Sequence, residues 1–181
     1  MTTTQIVLLR AVNVGGTGKV AMAALRDALV EHGYDRPRTL LQSGNVVLGA
    51  TGAGGAALER RLEDELTKTL GLRTTIMVRS AKEWAALIAA NPLRADAERA
   101  PSQFQVFALK AAPATGAEAK LAAAVKGREI VRVVGHQAYV VFPDGIGRSK
   151  LTTDVIERAL GTPVTGRNWN TVLKLAALAG A

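Results

Sequence analysis

Three observations in the 181-residue sequence predict an α/β (α+β) fold built from two similar halves. Short β-type runs and helically spaced leucines follow one another in the order β-α-β-β-α-β, and that order occurs twice. Each half carries two strand candidates joined by a turn signal, Gln42-Ser43-Gly44-Asn45 in the first and Gly135-His136 in the second. One further helical pattern ends the chain.

The elements follow in order. Gln5–Arg10 is a short apolar run ending at a charge and reads as a buried strand. A Gly-bearing loop, Asn13 to Lys19, leads to Met22, Leu25, Ala28 and Leu29 at helical spacing, and that helix stops near Gly33. Arg38–Leu41 and Val46–Leu48 flank the first turn. Leu58, Leu62, Leu66 and Leu70 mark a helix ending at Gly71, and Thr74–Arg79 is a β-branched strand. A helix from about Ala81 to Ala90 stops at Asn91-Pro92, and the charged, Pro-bearing residues 93–102 read as a linker or loop. The second half repeats the order with strand Gln103–Leu109, helix Ala117–Val125 and hairpin Glu129–Val134/Gln137–Phe142. A helix marked by Leu151, Val155, Ala159 and Leu160 and a brief extended piece, Pro163–Thr165, complete it, and a last helix covers about Asn168 to Ala179. No residue-level repeat is visible. The expected architecture is two tandem ferredoxin-like split-βαβ units with mainly antiparallel sheets and an appended C-terminal helix. Residues 1–80 form the first unit, 81–102 a helix and linker, and 103–181 the second unit with that helix.

Composition narrows the function. With no cysteine the chain holds no disulfide, thiolate nucleophile or Cys-based zinc site, which fits a reducing cytoplasm. Two histidines, His32 and His136, exclude a His-rich metal site, and no cofactor is implied. Residues 1–5 are polar and the apolar run is only Ile6 to Leu9, so neither a signal peptide nor a membrane partner is expected. Lys and Arg number 23 against 15 Asp and Glu, a formal charge of +8 that favours polyanion binding. The 32 alanines, and 15 Arg against 8 Lys, read equally as a nucleotide-composition bias, and the scattered charges as a solvated surface.

The split-βαβ topology gathers polar loops into two clusters. In the first unit Arg10, Asn13, Gly15, Gly16 and Lys19 come near Gln42, Ser43, Gly44 and Asn45. In the second, Asp144-Gly145-Ile146-Gly147-Arg148-Ser149-Lys150 is gathered with Arg167-Asn168-Trp169-Asn170. Both clusters are expected at helix N-termini. Glycines let a ligand approach the backbone, and free N–H groups with a positive dipole end suit an anion. Arg148 can grip a phosphate or carboxylate bidentately while Lys150 adds a point charge. Asn170 and Lys174, four apart, share one face of the last helix, with Trp169, Val172, Leu173 and Ala176 toward the other. Each feature also has a structural reading: glycines for a strand-to-helix turn, Ser43-Gly44-Asn45 for a hairpin, Ser149 for a helix cap and Trp169 for the core.

Sharper motifs fail. Gly18-Lys19 resembles the end of a P-loop, but Asn13 and Val20 replace the required Gly and Ser/Thr. Gly145-Ile146-Gly147 lacks the third glycine of a dinucleotide fingerprint. The strand Ala138-Tyr139-Val140-Val141-Phe142 lacks the aromatic pattern of an RNA-binding split-βαβ domain. No Ser–His–Asp set or paired carboxylate stands out.

Four segments together resemble the bacterial family called domain of unknown function 1697. They are Leu9-Arg10-Ala11-Val12-Asn13-Val14-Gly15-Gly16 continuing to Lys19 and Met22, Gln42-Ser43-Gly44-Asn45-Val46-Val47, Pro143-Asp144-Gly145-Ile146-Gly147-Arg148-Ser149-Lys150-Leu151, and Arg167-Asn168-Trp169-Asn170-Thr171. The resemblance covers nearly the whole chain and implies a two-part α/β architecture of ferredoxin-like units. It implies no reaction, cofactor or partner. The family usually has Gly and Ile where this chain has Ala11 and Val12, and Ala11 argues against a need for positive φ there.

Three functions fit these residues. One is binding of a phosphate-bearing ligand, nucleotide or nucleic acid, at the Arg/Lys/Asn/Gly loops. Another is an enzyme acting on an anionic small molecule, with Arg148, Lys150 and Arg167 stabilising negative charge and Lys150 or Asp144 carrying a proton. The third is an interaction or scaffold protein whose motifs are structural.

Overall fold

The structure, a computed structural model, describes residues 1–13, 19–52 and 54–181. Its chain divides into two compact units, Met1–Ala86 with Leu175–Ala181, and Leu87–Lys174. The elements run β1 (Thr2–Leu9), α1 (Met22–Glu31), β2 (Asp35–Leu40), β3 (Asn45–Thr51), α2 (Gly55–Leu70), β4 (Ile76–Ser80) and α3 (Ala81–Ala89). They continue with α4 (Arg94–Arg99), β5 (Phe104–Leu109), α5 (Ala117–Ala124), β6 (Ile130–Val134) and β7 (Gln137–Val141). A 3-10 turn (Ile146–Arg148), α6 (Thr153–Leu160), β8 (Val164–Asn168) and α7 (Trp169–Ala179) complete the chain.

The fold is mixed α/β, with two four-stranded antiparallel sheets ordered β2-β3-β1-β4 and β6-β7-β5-β8, the split-βαβ arrangement in each. In the first unit Val7, Leu9, Val46, Leu48, Ile76 and Val78 meet Leu25, Leu29, Leu58, Leu62 and Leu66 from the helices. The four-residue leucine spacing of α2 is the reason: it places one apolar stripe on the sheet, each buried leucine contributing roughly 1.5–3 kcal/mol. The helix ends where Gly71 turns to φ 63°, with the Leu72 amide donating to the Leu66 carbonyl. Ile6 and Leu8, on the other face of β1, are also buried, as a continuous apolar run requires. In the second unit Phe107, Leu109, Val140 and Val164 meet Leu121, Ile156 and Leu160.

Three expectations change. Residues 93–102 hold the short helix α4, which lacks an apolar stripe because only Ala97 is buried and which carries exposed Arg94–Glu98 and Arg99–Asp96 ion pairs. The last strand extends beyond Thr165 to Asn168 because it pairs with β5 along its length. Helix α6 starts at Thr153, not at Leu151, because Thr152 occupies the N-cap and accepts from the Val155 amide.

Register also exposes a correspondence between the units that the sequence conceals. Leu9 faces Ile76 and Ile6 faces Arg79, just as Leu109 faces Val164 and Val106 faces Arg167. Three outer strands have ladder amides satisfied by helical carboxylates. Glu59 and Glu63 of α2 accept from the Val78 and Ile76 amides, Glu157 of α6 from Val164, and Glu118 of α5 from Val133.

Candidate functional site

Because β1 runs antiparallel to both β3 and β4, the end of β1 lies beside the β2–β3 turn and the start of β4. The structure brings Arg10 and Asn13 to the Gln42–Asn45 turn. The Leu9 amide donates to the Gly44 carbonyl at 2.8 Å. Asn13 donates through Nδ2 to the Gln42 carbonyl at 2.8 Å and the Val20 carbonyl at 3.0 Å, and its Oδ1 accepts from the Val20 amide at 2.9 Å. Asn13 thus ties both sides of the loop to the turn. Asn45 is wholly buried, and its Nδ2 donates to the Leu40 carbonyl and Ser43 Oγ. Gly44 is required for two reasons: its φ is 72°, and a Cβ there would lie 2.8 Å from the Leu9 Cβ. Gly15 and Gly16 lie outside the described residues.

Ala11 overturns the expectation that its side chain signals ordinary backbone. Its φ is 53°, so this chain adopts the left-handed conformation there without glycine. Asn13 and Leu41 share it at φ 56° and 60°, so three of the four such non-Gly residues among those described surround this one loop cluster. The hydrogen bonds of Asn13 and the turn hold the backbone in this form.

The first cluster borders two clefts. Arg10, Ala11, Val12, Leu72, Arg73, Thr74 and Thr75 line one of about 380 Å3. Its walls are pinned by the Arg10 amide donating to the Thr75 carbonyl at 2.9 Å and by Thr74 Oγ1 donating to the Arg10 carbonyl at 2.6 Å. Among the described residues no carboxylate lines it. Asn13, Lys19, Val20 and Ala21 line the other, beside the start of α1, whose N-cap Ala21 offers no side-chain cap and whose first turn holds no acidic residue.

A family model described as "Protein of unknown function (DUF1697)" matches residues 1–139. The chain belongs to that family. It is similar to a solved structure titled "The structure of conserved bacterial protein SP0830 from Streptococcus pneumoniae", with TM-score 0.76, 19% identity and 99% of each chain covered. At that identity the likeness shows the fold. No curated protein matches the chain.

The DUF1697 match includes the first cluster and ends before the second. There the loop Asp144–Lys150 is fastened to the turn before β6: Arg128 pairs with Asp144 through two contacts, and Ser149 Oγ donates to Glu129 Oε1. Ser149 therefore does not cap α6, whose N-cap is Thr152; its Oγ accepts from the Leu151 amide. The Arg128 guanidinium holds the Asp144 carboxyl below its ordinary range, with Arg148 adding to the effect, and Ser149 does the same for Glu129. Gly147, Arg148 and Lys150 are exposed.

Arg167 is not on that loop surface. It is buried and donates to Thr165 Oγ1 and the Gly166 carbonyl, and burial pulls its pKa down to about 10. Asn168 caps α7, its Oδ1 accepting from the Thr171 amide. Asn170 and Lys174 are exposed as their shared face predicts; Trp169, Val172 and Ala176 are buried, but Leu173 is 45% exposed. Trp169 packs edge-on against Phe104, which answers its core reading. The sequence did not single out Arg73, Thr74, Thr75, Arg128 and Glu129 as members of these clusters. The start of β4 lies next to the end of β1 in any split-βαβ unit, so topology could have pointed to the first three.

Proposed function

We propose that the protein binds a phosphate-bearing ligand, a nucleotide or nucleic acid, at the loops beyond the end of β1. The observation that carries this reading is the cleft of about 380 Å3 lined by Arg10, Arg73, Thr74 and Thr75, with no carboxylate among the described lining residues. Guanidinium forks suit phosphate oxygens, and Lys19 lines the second cleft, beside the uncapped start of α1. The formal charge of +8 steers polyanions toward such loops.

A thermal-shift screen at low and high salt tests the proposal. Nucleotides, sugar phosphates, short DNA and short RNA are applied to wild type, to Arg10→Ala/Lys19→Ala and to Arg148→Ala/Lys150→Ala. A ligand at about 100 times its Kd adds roughly 2.7 kcal/mol, which raises the Tm by roughly 5–10 °C in a chain of this size. The expected result is a shift lost in the first double variant and kept in the second. A steep decline with salt identifies nucleic acid, and a flat response a nucleotide. No shift with any anion at low salt overturns the reading.

A second reading is favoured by the side-chain hydrogen bonds of Asn13, Asn45, Ser149 and Asn168. In it these motif residues fasten loops and touch no ligand, so Asn45→Ala lowers stability and leaves any anion response intact.

A further inference from the structure

We infer that the cleft between Arg10 and Arg73 takes a small phosphorylated polyol, a sugar phosphate in chemical class, with Arg73 gripping the phosphate. This rests only on the phosphate-binding part of the proposed function; it puts a base-free sugar phosphate in place of the nucleotide or nucleic acid and adds a residue in a segment the motifs do not cover.

Size is the first argument. About 380 Å3 stands at the small end of ligand pockets, which run from about 300 to 1,000 Å3. A cleft of that size holds one compact molecule rather than a length of polymer. Surface chemistry is the second. No aromatic ring is among the described lining residues, so a base finds no stacking partner, whereas single-stranded nucleic-acid sites rely on such platforms. Val12 and Leu72, the apolar residues bordering the cleft besides Ala11, turn into the core and offer a base no platform either.

The third argument is the complement of donors and acceptors. Arg73 lies exposed on the loop between α2 and β4, where its guanidinium supplies only donors and fits phosphate oxygens bidentately. Thr74 Oγ1 has its proton committed to the Arg10 carbonyl at 2.6 Å. Toward a ligand that oxygen can therefore only accept, and its natural partner is a hydroxyl donor. A molecule with a phosphate at one end and hydroxyls along its body satisfies both. The Arg10 amide bond to the Thr75 carbonyl holds the two walls at fixed separation, so the site is formed before the ligand arrives.

Calorimetric titration at fixed ionic strength tests this with ribose 5-phosphate, inorganic phosphate, AMP and a short single-stranded oligonucleotide. Wild type, Arg73→Ala and Arg73→Lys are compared, with the Tm of each unliganded protein as a folding control. Arg73 is exposed, so the unliganded Tm should stay within a degree or so for both variants. Ribose 5-phosphate should bind more tightly than inorganic phosphate and no more weakly than AMP. Arg73→Ala should weaken it about tenfold to a hundredfold, and Arg73→Lys less, because lysine keeps the charge without the fork. Unchanged affinity in Arg73→Ala, AMP binding more than tenfold tighter than ribose 5-phosphate, or binding of the oligonucleotide alone overturns this inference while phosphate binding itself stands. If no probe binds, both readings are overturned.

Discussion

Ala11 and Gly44 hold the same kind of backbone for opposite chemical reasons. Both have positive φ, 53° and 72°, within one loop cluster. At Gly44 a side chain would also strike the Leu9 Cβ, whereas Ala11 is exposed and carries only the conformational cost. Ala11→Gly should therefore raise stability by about 0.5–1 kcal/mol, the relieved left-handed strain being partly offset by the freer unfolded chain. Gly44→Ala should lower it by about 2–4 kcal/mol, adding steric displacement to the strain. Urea unfolding of the two variants measures both, and equal shifts in the same direction would contradict the account. The Gly44 role was legible, because Ser-Gly-Asn between two β-type runs is a turn signal with a mechanism. The Ala11 conformation was not, because alanine reads as ordinary backbone until the Asn13 bridge to Val20 and Gln42 shows what holds it.

At the scale of elements, carboxylates on neighbouring helices occupy individual amides of the outer strands β4, β6 and β8. Glu157 on α6 accepts from the Val164 amide at 2.8 Å, and Glu59 on α2 does the same for Val78. These bonds are charge-assisted, and they occupy amides that would otherwise template pairing with another chain. Glu157→Ala should cost about 1–3 kcal/mol and promote concentration-dependent association, seen by light scattering at temperatures below the melting transition. Unchanged stability and scattering would show that water replaces the carboxylate freely. The helices themselves were legible from leucine spacing, α2 most clearly. The bonds of their carboxylates to strand amides were not, since a glutamate on an amphipathic helix has the same sequence signature whether it meets solvent or a strand. Helix α4 was illegible because it is short and buries only Ala97, which leaves no apolar stripe to read.

For the molecule as a whole, charge sets the response to acid. Protonating 15 carboxylates leaves 23 Lys and Arg unopposed, so repulsion grows as pH falls. Asp144, held low mainly by Arg128, and Glu129, held low mainly by Ser149, titrate below their unfolded values. Their contribution is present above the ordinary carboxylate pKa of about 4 and is lost as pH falls through the folded value. The loop Asp144–Lys150 should accordingly lose hydrogen-exchange protection as pH falls below the ordinary carboxylate range, before the cores around Leu62 and Leu160 do. Simultaneous loss would mean these links do not hold the loop. The sequence by itself determined the two β-α-β-β-α-β units, the antiparallel hairpins and the DUF1697 membership, because periodicity, turn residues and motifs act over a few neighbouring residues. Only the tertiary structure decided which polar side chains are buried or tied to the backbone and which line a cleft. Arg167 turned inward, Asn45 was consumed by its own turn, and Arg73 came from 63 residues along the chain to line a cleft with Arg10. Burial and the destination of a hydrogen bond depend on strands that are distant in sequence, and no local pattern records them.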